Sequence, residues 1–348
     1  MKILYAVQGT GNGHITRAIE IIPHLEKWGI VDILVSGTSS DIKLPFDVKY
    51  QYNGLSFVFG KNGGVDIWRT YLKMKSFKMM KEIKNLPIEQ YDLVISDFEP
   101  ISCWAAARAK KPCIGLSNQA ASLHPLAPLP KKNDLFGRMV LSHYAPVDFA
   151  YGFHFKALDQ QIFTPIIRKE VREIRPTLEG HYTVYLPAYS DEKIIKHLKK
   201  FEAIKWEVFS KHSKKKYREK NIHIQPIQKD AFLNSLASCE GLIANAGFGS
   251  TSEALFWNKK LLVIPMKNQY EQQCNAAMLE EMGATVIKKL NKKNRDTIGK
   301  WIMGANFIEV DYPDRTAELV EMIIKNHGGE QEAPNEKNNS ETALFNNL

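Results

Sequence analysis

Short apolar runs alternate with amphipathic segments along most of the chain, and this alternation predicts a parallel α/β fold. Runs such as residues 2–7 and 92–96 fit buried strands, and the stretch after each has the spacing of a helix. Strands joined by helices form parallel sheets that carry helices on both faces. We therefore expect two Rossmann-like, doubly wound parallel-sheet domains that face each other across a cleft. The expected boundaries are residues 1–160 for the first domain, 161–327 for the second and 328–348 for a polar, disordered tail.

The most informative stretch, residues 241–283, has the pattern of a strand, a glycine turn, a helix, a second strand and a second helix. The turn is Asn-Ala-Gly-Phe-Gly at residues 245–249, and we expect a helix over 252–258 that is capped by Ser250 or Thr251. A helix N-terminus presents free N–H groups and the positive end of the helix dipole, and both favour anions. The turn therefore predicts a diphosphate site.

Polar side chains follow this turn in an order that suits a nucleotide sugar. Glu253 lies one turn into the helix, where its carboxylate can accept hydrogen bonds from the hydroxyls of a ribose. Glu271 and Gln272 follow the next strand, and a carboxylate beside an amide suits the vicinal hydroxyls of a sugar. An ordinary βαβ unit with a tight turn is the alternative, but the joint spacing through Asn275 favours a nucleotide-sugar site.

These residues resemble the donor signature of GT-B glycosyltransferases, in particular UDP-glycosyltransferases and the N-acetylglucosaminyltransferase that completes the bacterial lipid-linked peptidoglycan precursor. The resemblance implies a GT-B fold whose last helix packs back across the first domain. It implies that the diphosphate is held by Asn245, Gly247, Gly249, Ser250 and Thr251. It further implies Glu253 for the ribose, Glu271 with Gln272 for the transferred sugar, and Ile227 at the position that stacks on the base. Many UDP-glycosyltransferases have histidine at the position of Asn245, whose amide can still donate to a phosphate.

A second glycine turn, residues 11–14, follows the first predicted strand. It lacks the G-x-G-x-x-G spacing of a dinucleotide site, because the third glycine comes one residue early. The turn instead places His14 in the first turn of a helix, where a neutral imidazole suits a general base. A histidine that only packs locally is the alternative. The resemblance implies that His14 deprotonates the acceptor hydroxyl, and we expect the acceptor side to include Gly11, Gly13, Arg17 and Asn118.

Two carboxylates at the end of the strand over residues 92–96 are candidates to support this base. Asp97 could orient His14 and stabilise its imidazolium, as the third group of a hydrolase triad does. Glu99 is the second candidate. The alternative for Asp97 is a cap for the helix that starts at Pro100.

Composition excludes several other classes. A formal net charge of +9 favours anionic partners, but no nucleic-acid motif accompanies it. The four cysteines have no CxxC spacing and fit reduced thiols, and neither a secretion signal nor an apolar run of membrane-spanning length is present, so we expect a cytoplasmic protein. A basic, aromatic-edged helix is expected over residues 66–84, where packing on the sheet and contact with an anionic membrane surface are the two interpretations.

The sequence therefore predicts an inverting glycosyltransferase that moves a hexose or N-acetylhexosamine from a nucleotide-diphosphate sugar, with UDP favoured by resemblance, to an acceptor hydroxyl. Lipid-linked sugars, free lipids, polysaccharides and small aglycones all stay open as acceptors. No D-x-D motif is present, so we expect no metal and no cofactor other than the donor itself. A nucleotide-sugar 2-epimerase of the same fold and a non-catalytic nucleotide-sugar-binding protein are the alternatives.

Overall fold

The structure is a computed structural model and describes residues 1–37, 42–53, 77–131 and 134–329. The predicted helix over 66–84 lies mostly outside the described residues, as does most of the predicted tail.

The first lobe is built on a parallel sheet of seven strands. The order across the sheet is β3-β2-β1-β4-β5-β6-β7. The strands are β1 (Lys2–Gln8), β2 (Ile30–Ser36), β3 (Val48–Tyr52), β4 (Leu93–Asp97), β5 (Ile114–Leu116), β6 (Phe149–Phe153) and β7 (Ile162–Phe163). Strand β1 pairs with β2 on one side and with β4 on the other.

The second lobe repeats this plan with one antiparallel edge strand, β10. The order is β10-β11-β9-β8-β12-β13-β14. The strands are β8 (His181–Tyr185), β9 (Lys205–Ser210), β10 (Tyr217–Glu219), β11 (Ile222–Pro226), β12 (Gly241–Ala244), β13 (Lys260–Val263) and β14 (Thr285–Val286). The prediction of two doubly wound parallel sheets is confirmed.

Twelve α-helices are found in the described residues, and most of them follow a strand. In the first lobe and the segment after it they are α1 (Asn12–Leu25), α2 (Phe77–Asn85), α3 (Pro100–Ala109), α4 (Asn118–Leu123), α5 (Leu135–Tyr144) and α6 (Lys169–Glu173). In the remainder of the chain they are α7 (Asp191–Leu198), α8 (Lys229–Ser238), α9 (Phe248–Phe256), α10 (Tyr270–Glu281), α11 (Arg295–Met303) and α12 (Thr316–His327). Two short 3-10 helices, Ile88–Gln90 and Lys292–Asn294, complete the set.

Apolar side chains cover both faces of each sheet, because consecutive residues of a buried strand point to opposite sides. In β1, Leu4 belongs to the cluster on one face and Tyr5 to the cluster on the other. The last helix, α12, lies on the first lobe, where Leu319, Val320 and Ile323 join the same cluster as α1. The described residues therefore begin and end on the first lobe.

The predicted helix over 252–258 is wrong in its limits. Helix α9 begins at Phe248, with Gly247 as an N-cap in extended conformation and no side-chain cap. Ser250 and Thr251 therefore lie in the first helical turn and do not cap it. The glycines let the chain enter the helix directly, so the turn is tighter than the sequence suggested.

The segment between the lobes contains more structure than a linker. β7 pairs with β6 through Gly152 and Ile162, so the first sheet extends past the predicted boundary after residue 160. α6 follows before the second sheet begins at β8.

Candidate active site

The two glycine turns lie at equivalent points of the two sheets. In each sheet the strand order reverses direction at the first strand, β1 or β8, and ligands of open α/β sheets bind in the crevice outside the carboxyl ends of such strands. His14 follows β1, and Asp97 ends the neighbouring strand β4, where Val7 pairs with it. In the second sheet α9 follows β12, which is the neighbour of β8. The topology alone therefore places the predicted base and the predicted diphosphate site at the reversal points of their sheets.

His14 and Asp97 form a hydrogen-bonded pair. His14 Nδ1 lies 2.8 Å from Asp97 Oδ1, and Asp97 is fully buried. His14 is the third residue of α1, and the turn before it is possible because Gly11 adopts a φ of 97°, which favours glycine. The ring of Phe98 stacks on the imidazole at 6.5 Å between centroids. Phe98 has a φ of 56°, a strained conformation for a bulky residue of the kind that is concentrated at functional sites.

Arg17 contacts both residues of this pair, and its side chain is buried. Its Nε donates to Asp97 Oδ2 over 2.9 Å, its Nη2 donates to Asp97 Oδ1, and its Nη1 donates to Asn118 Oδ1 over 3.1 Å. The guanidinium is buried, with its carbon 5.4 Å from the centre of the Phe153 ring. The donors of Arg17 are engaged within the protein, and its contact with an acceptor stays a prediction.

The charge state of Asp97 follows from these contacts. Burial by itself raises the pKa of Asp97, but Arg17 and His14 together outweigh burial and hold the pKa below its ordinary value. Asp97 is therefore an ionised carboxylate at neutral pH, as the supporting role requires.

Glu99, the second candidate, has a different role. Its carboxylate accepts hydrogen bonds from the N–H groups of Ile101 at 2.8 Å and Ser102 at 2.6 Å, so it caps α3. The alternative in which Asp97 caps this helix is wrong for the same reason. Burial raises the pKa of Glu99.

The N-terminus of α9 presents the backbone groups that an anion requires. The first N–H groups of a helix have no acceptor within it, and here they belong to Phe248, Gly249 and Ser250. Gly247 and Gly249 leave open space where a Cβ atom would stand, so a ligand can approach the backbone closely. This part of the diphosphate prediction has the necessary geometry.

Two side chains predicted for the same site point into the protein instead. Thr251 is fully buried and its hydroxyl donates to the carbonyl of Gly247 over 2.5 Å. The amide of Asn245 donates to the carbonyl of Ile264 over 2.6 Å, and its Oδ1 is buried without a hydrogen-bond partner among the described residues. Neither side chain is presented to a phosphate in this conformation.

The residues predicted to contact the ribose and the base differ in solvent exposure. Glu253 is 7% exposed, and Arg168 donates to its Oε1 over 2.7 Å from Nε. Burial raises the pKa of Glu253, and Arg168 opposes this effect. Ile227 follows the end of β11 and is 36% exposed, so its side chain is available for stacking.

Of the two residues predicted to bind the transferred sugar, Glu271 is hydrogen-bonded to the first lobe and Gln272 is not. Glu271 accepts from Asn118 Nδ2 over 2.7 Å and from Gln119 Nε2 over 3.0 Å, and both donors belong to α4 of the first lobe. Gln272 lies beside it, but its Oε1 accepts from the N–H of Met266 over 2.9 Å. The phosphate end of the second lobe also faces the first lobe, since Phe248 packs against the cluster that contains Ile15.

The family model described as glycosyl transferase family 1 matches residues 1–304. The chain belongs to this family. It is therefore an enzyme, a glycosyltransferase.

Solved structures similar to this glycosyltransferase show its GT-B fold. MurG of Acinetobacter baumannii has a TM-score of 0.57 at 15% identity, over 93% of this chain and 99% of that one. The glycotransferase of kitacinnamycin has a TM-score of 0.56 at 14% identity, over 94% and 96% of the two chains. UGT2 of Phytolacca americana, complexed with UDP-2fluoro-glucose and pterostilbene, has a TM-score of 0.55 at 14% identity, over 94% of both chains. No curated protein matches the sequence significantly.

The glycosyltransferase has a cavity of about 280 Å³ in its first lobe, next to the candidate base. Its walls are mostly small or apolar, and they include Phe98, Ala120, Leu123, Leu141, Val147 and Ala150. Gln119 also lines it, and this side chain lies 3.4 Å from His14 Nε2. Sequence reasoning missed Gln119, because an amide in a Pro-rich stretch has no pattern that separates it from its neighbour Asn118.

The described ranges contain no group of three or more His, Cys, Asp or Glu side chains that could hold a metal ion. No helix within them has the length and apolarity needed to cross a membrane.

Proposed function

We propose that this glycosyltransferase transfers a sugar from UDP to an acceptor hydroxyl with inversion of the anomeric carbon and without a metal ion. The observation that carries the proposal is the His14–Asp97 pair of the first lobe. It is supported by Phe248 at the N-terminus of α9, which packs against an apolar cluster of the same lobe. A base on one lobe and an anion site on the other are the two groups that direct displacement requires.

Each step of the reaction has a group to support it. His14 Nε2 takes the proton of the acceptor hydroxyl, and Asp97 stabilises the imidazolium through Nδ1. The acceptor oxygen forms a bond to the anomeric carbon while the bond from that carbon to the diphosphate oxygen breaks. The negative charge of the departing UDP is stabilised by the N–H groups of Phe248, Gly249 and Ser250 and by the dipole of α9. No cofactor besides the donor takes part.

The preference for UDP rests on the donor lobe and on related structures. The Phytolacca americana UGT2 complex contains UDP-2fluoro-glucose, and the structure of LpCGTa, with a TM-score of 0.55 at 10% identity, contains UDP. Glu253 provides a carboxylate for the ribose hydroxyls and Ile227 an apolar surface for the base. Arg168 occupies one oxygen of Glu253, so we expect the other oxygen to hold the ribose.

The cavity beside Gln119 limits the size and polarity of the acceptor group that can bind there. Its volume of about 280 Å³ lies near the lower end of ligand pockets, roughly 300–1,000 Å³. An acceptor with a compact apolar group next to its reactive hydroxyl therefore fits better than a wholly polar glycan chain. With the net charge of +9, an acceptor held at an anionic membrane surface also agrees with this proposal.

Replacement of His14 tests the proposal. We expect His14→Ala to leave the affinity for UDP unchanged and to lower the transfer rate by roughly 10²- to 10⁴-fold, the usual contribution of a general base. The measurements are UDP binding by calorimetry and transfer from a panel of UDP-sugars to acceptors. The matched control is His143→Ala, because His143 is exposed on α5.

Two results would contradict the proposal. Undiminished transfer by the His14→Ala enzyme would remove the base from the mechanism. Conversion of a nucleotide sugar in the absence of any acceptor would indicate the epimerase instead.

A further inference from the structure

His14 belongs to a closed ring of hydrogen-bonded side chains that connects the two lobes. Its members in order are His14, Asp97, Arg17, Asn118, Glu271 and Gln119. Five of them belong to the first lobe and Glu271 belongs to the second. The ring closes on the two nitrogens of one imidazole, so its hydrogen bonds decide which nitrogen carries the proton.

The contacts at Nδ1 do not decide the tautomer of His14 by themselves. Asp97 Oδ1 lies 2.8 Å away and accepts, which favours a proton on Nδ1. Arg17 Nη2 lies 3.0 Å away and can only donate, which favours a lone pair on Nδ1. The carboxylate and the guanidinium therefore favour opposite tautomers.

The contact at Nε2 decides between them. An ionised Glu271 only accepts hydrogen bonds, so Gln119 must turn its NH₂ group towards Glu271 Oε2, 3.0 Å away. The same NH₂ nitrogen lies 3.4 Å from His14 Nε2, and a donor at this position favours a lone pair on Nε2. The proton then lies on Nδ1, where it is donated to Asp97.

We propose that Gln119, oriented by Glu271 of the opposite lobe, is a positioning residue that sets the tautomer of His14. This inference rests on the proposed function only in that it takes His14 as the base. A base that receives a proton at Nε2 must first have a lone pair there, and Gln119 provides that state before an acceptor binds. The long 3.4 Å contact is weak enough for an acceptor hydroxyl to replace it.

The arrangement makes the state of the base depend on the contact between Gln119 and Glu271. Gln119 Oε1 is buried and has no partner within the described part of the chain. When Glu271 moves away, no contact holds the NH₂ group in place, and a rotation of the amide places Oε1 at Nε2. An acceptor there favours the Nε2–H tautomer, which cannot take a proton from a substrate.

The test is the tautomer itself, measured without donor or acceptor. Long-range ¹H–¹⁵N spectra of the full chain labelled with ¹⁵N-histidine distinguish Nδ1–H from Nε2–H, and the His14 signals are identified by their loss in His14→Gln. At about pH 8.5 we expect mainly Nδ1–H in the wild type. We expect mainly Nε2–H when Gln119→Glu is combined with Glu271→Gln, because this exchange keeps a hydrogen bond between the lobes but puts an acceptor at Nε2.

Further variants make the outcome decisive. Glu280→Gln removes an exposed carboxylate of α10 that pairs with Lys131, and we expect it to leave the tautomer unchanged. If the exchanged pair does not fold, Gln119→Leu replaces it, and we expect a rise in the Nε2–H population. A wild type that is mainly Nε2–H, or a tautomer unaffected by these changes at Gln119, would overturn the proposal. Since no substrate is present, either result is independent of whether the enzyme transfers sugar.

Discussion

At the scale of single residues, the site depends on charges that are satisfied within the protein. Asp97 binds His14 and Arg17 at the same time, so its negative charge is shared between an imidazole and a guanidinium. The ion pair keeps Asp97 ionised in a buried position, where a lone carboxylate would be costly. Because Asp97 is also paired with Arg17, it attracts the imidazolium of His14 more weakly than an unpaired carboxylate would.

A second histidine of the first lobe, His154, is buried and has no role in the proposed mechanism. It is 1% exposed, its Nδ1 accepts from the N–H of Phe155 over 3.0 Å, and its Nε2 has no partner among the described residues. Burial lowers the pKa of His154 to about 4. The folded state therefore resists protonation in a pH range where the unfolded chain binds a proton.

This difference predicts acid sensitivity. Between the unfolded value of about 6.5 and the folded value of about 4, stability falls as the pH falls, because protons bind the unfolded state. We expect His154 to cost about 2 kcal/mol of the free energy of unfolding between pH 7.5 and pH 5. Urea unfolding of wild type and His154→Gln at both pH values measures it.

The control for this prediction is His143→Gln, because His143 is exposed on α5. The control should keep the full pH dependence of the wild type, whereas His154→Gln should lose part of it. Equal slopes for all three proteins would contradict the assignment.

At the scale of elements, helix α9 has glycines where a helix would be more stable without them. Gly249 is the second residue of the helix, and a Cβ atom there would meet no other atom within 4 Å. Alanine is therefore sterically allowed, and glycine in a helix costs roughly 0.5–1 kcal/mol relative to alanine. Glycine at this position agrees with close approach of a ligand to the backbone.

Gly249→Ala should therefore separate stability from binding. We expect a gain of about 0.5 kcal/mol in the free energy of unfolding, together with a loss of about tenfold in affinity for UDP, because the methyl group stands in front of the N–H groups. Thermal unfolding and calorimetry measure the two effects.

The matched control is Gly299→Ala in α11, where the added Cβ would meet only Phe201 at an ordinary 3.7 Å. This variant should gain stability without any change in UDP affinity. A Gly249→Ala enzyme that binds UDP as tightly as the wild type would show that the diphosphate lies elsewhere.

Local patterns determine how much of these elements can be predicted from the sequence. The alternation of apolar strands and amphipathic helices is a property of each segment, so the two parallel sheets follow from it. The start of α9 was missed because Ser250 and Thr251 look like caps, whereas Gly247 makes the turn without a side chain. Glycine carries no signal that distinguishes an N-cap from a loop.

At the scale of the whole molecule, the contacts that matter join distant parts of the chain. Glu271 reaches Asn118 and Gln119 across more than 150 positions, and no periodicity in the sequence reports such a pairing. The engagement of Arg17 by Asp97 was missed for the same reason, although both residues were identified as candidates. Family resemblance indicated which residues belong to the site, but not how the side chains share their hydrogen bonds.

The two lobes are also held together away from the site. α12 packs on α1 through residues such as Leu319 and Ile323, and Tyr151 of the first lobe is hydrogen-bonded to His327 over 2.9 Å. Lys169 of the connecting segment donates its N–H to Glu20 of α1 over 3.3 Å. These contacts join the two ends of the second lobe to the first lobe independently of Glu271.

A crystal structure of the full chain with bound UDP tests the central claim most directly, namely that the two lobes form one site. We expect the diphosphate within hydrogen-bond distance of the N–H groups of Phe248, Gly249 and Ser250, and the ribose hydroxyls at Glu253. The terminal phosphate, where the sugar is attached, should face His14 Nε2 across the crevice. A nucleotide bound away from the N-terminus of α9, or one whose terminal phosphate points away from His14, would contradict the account.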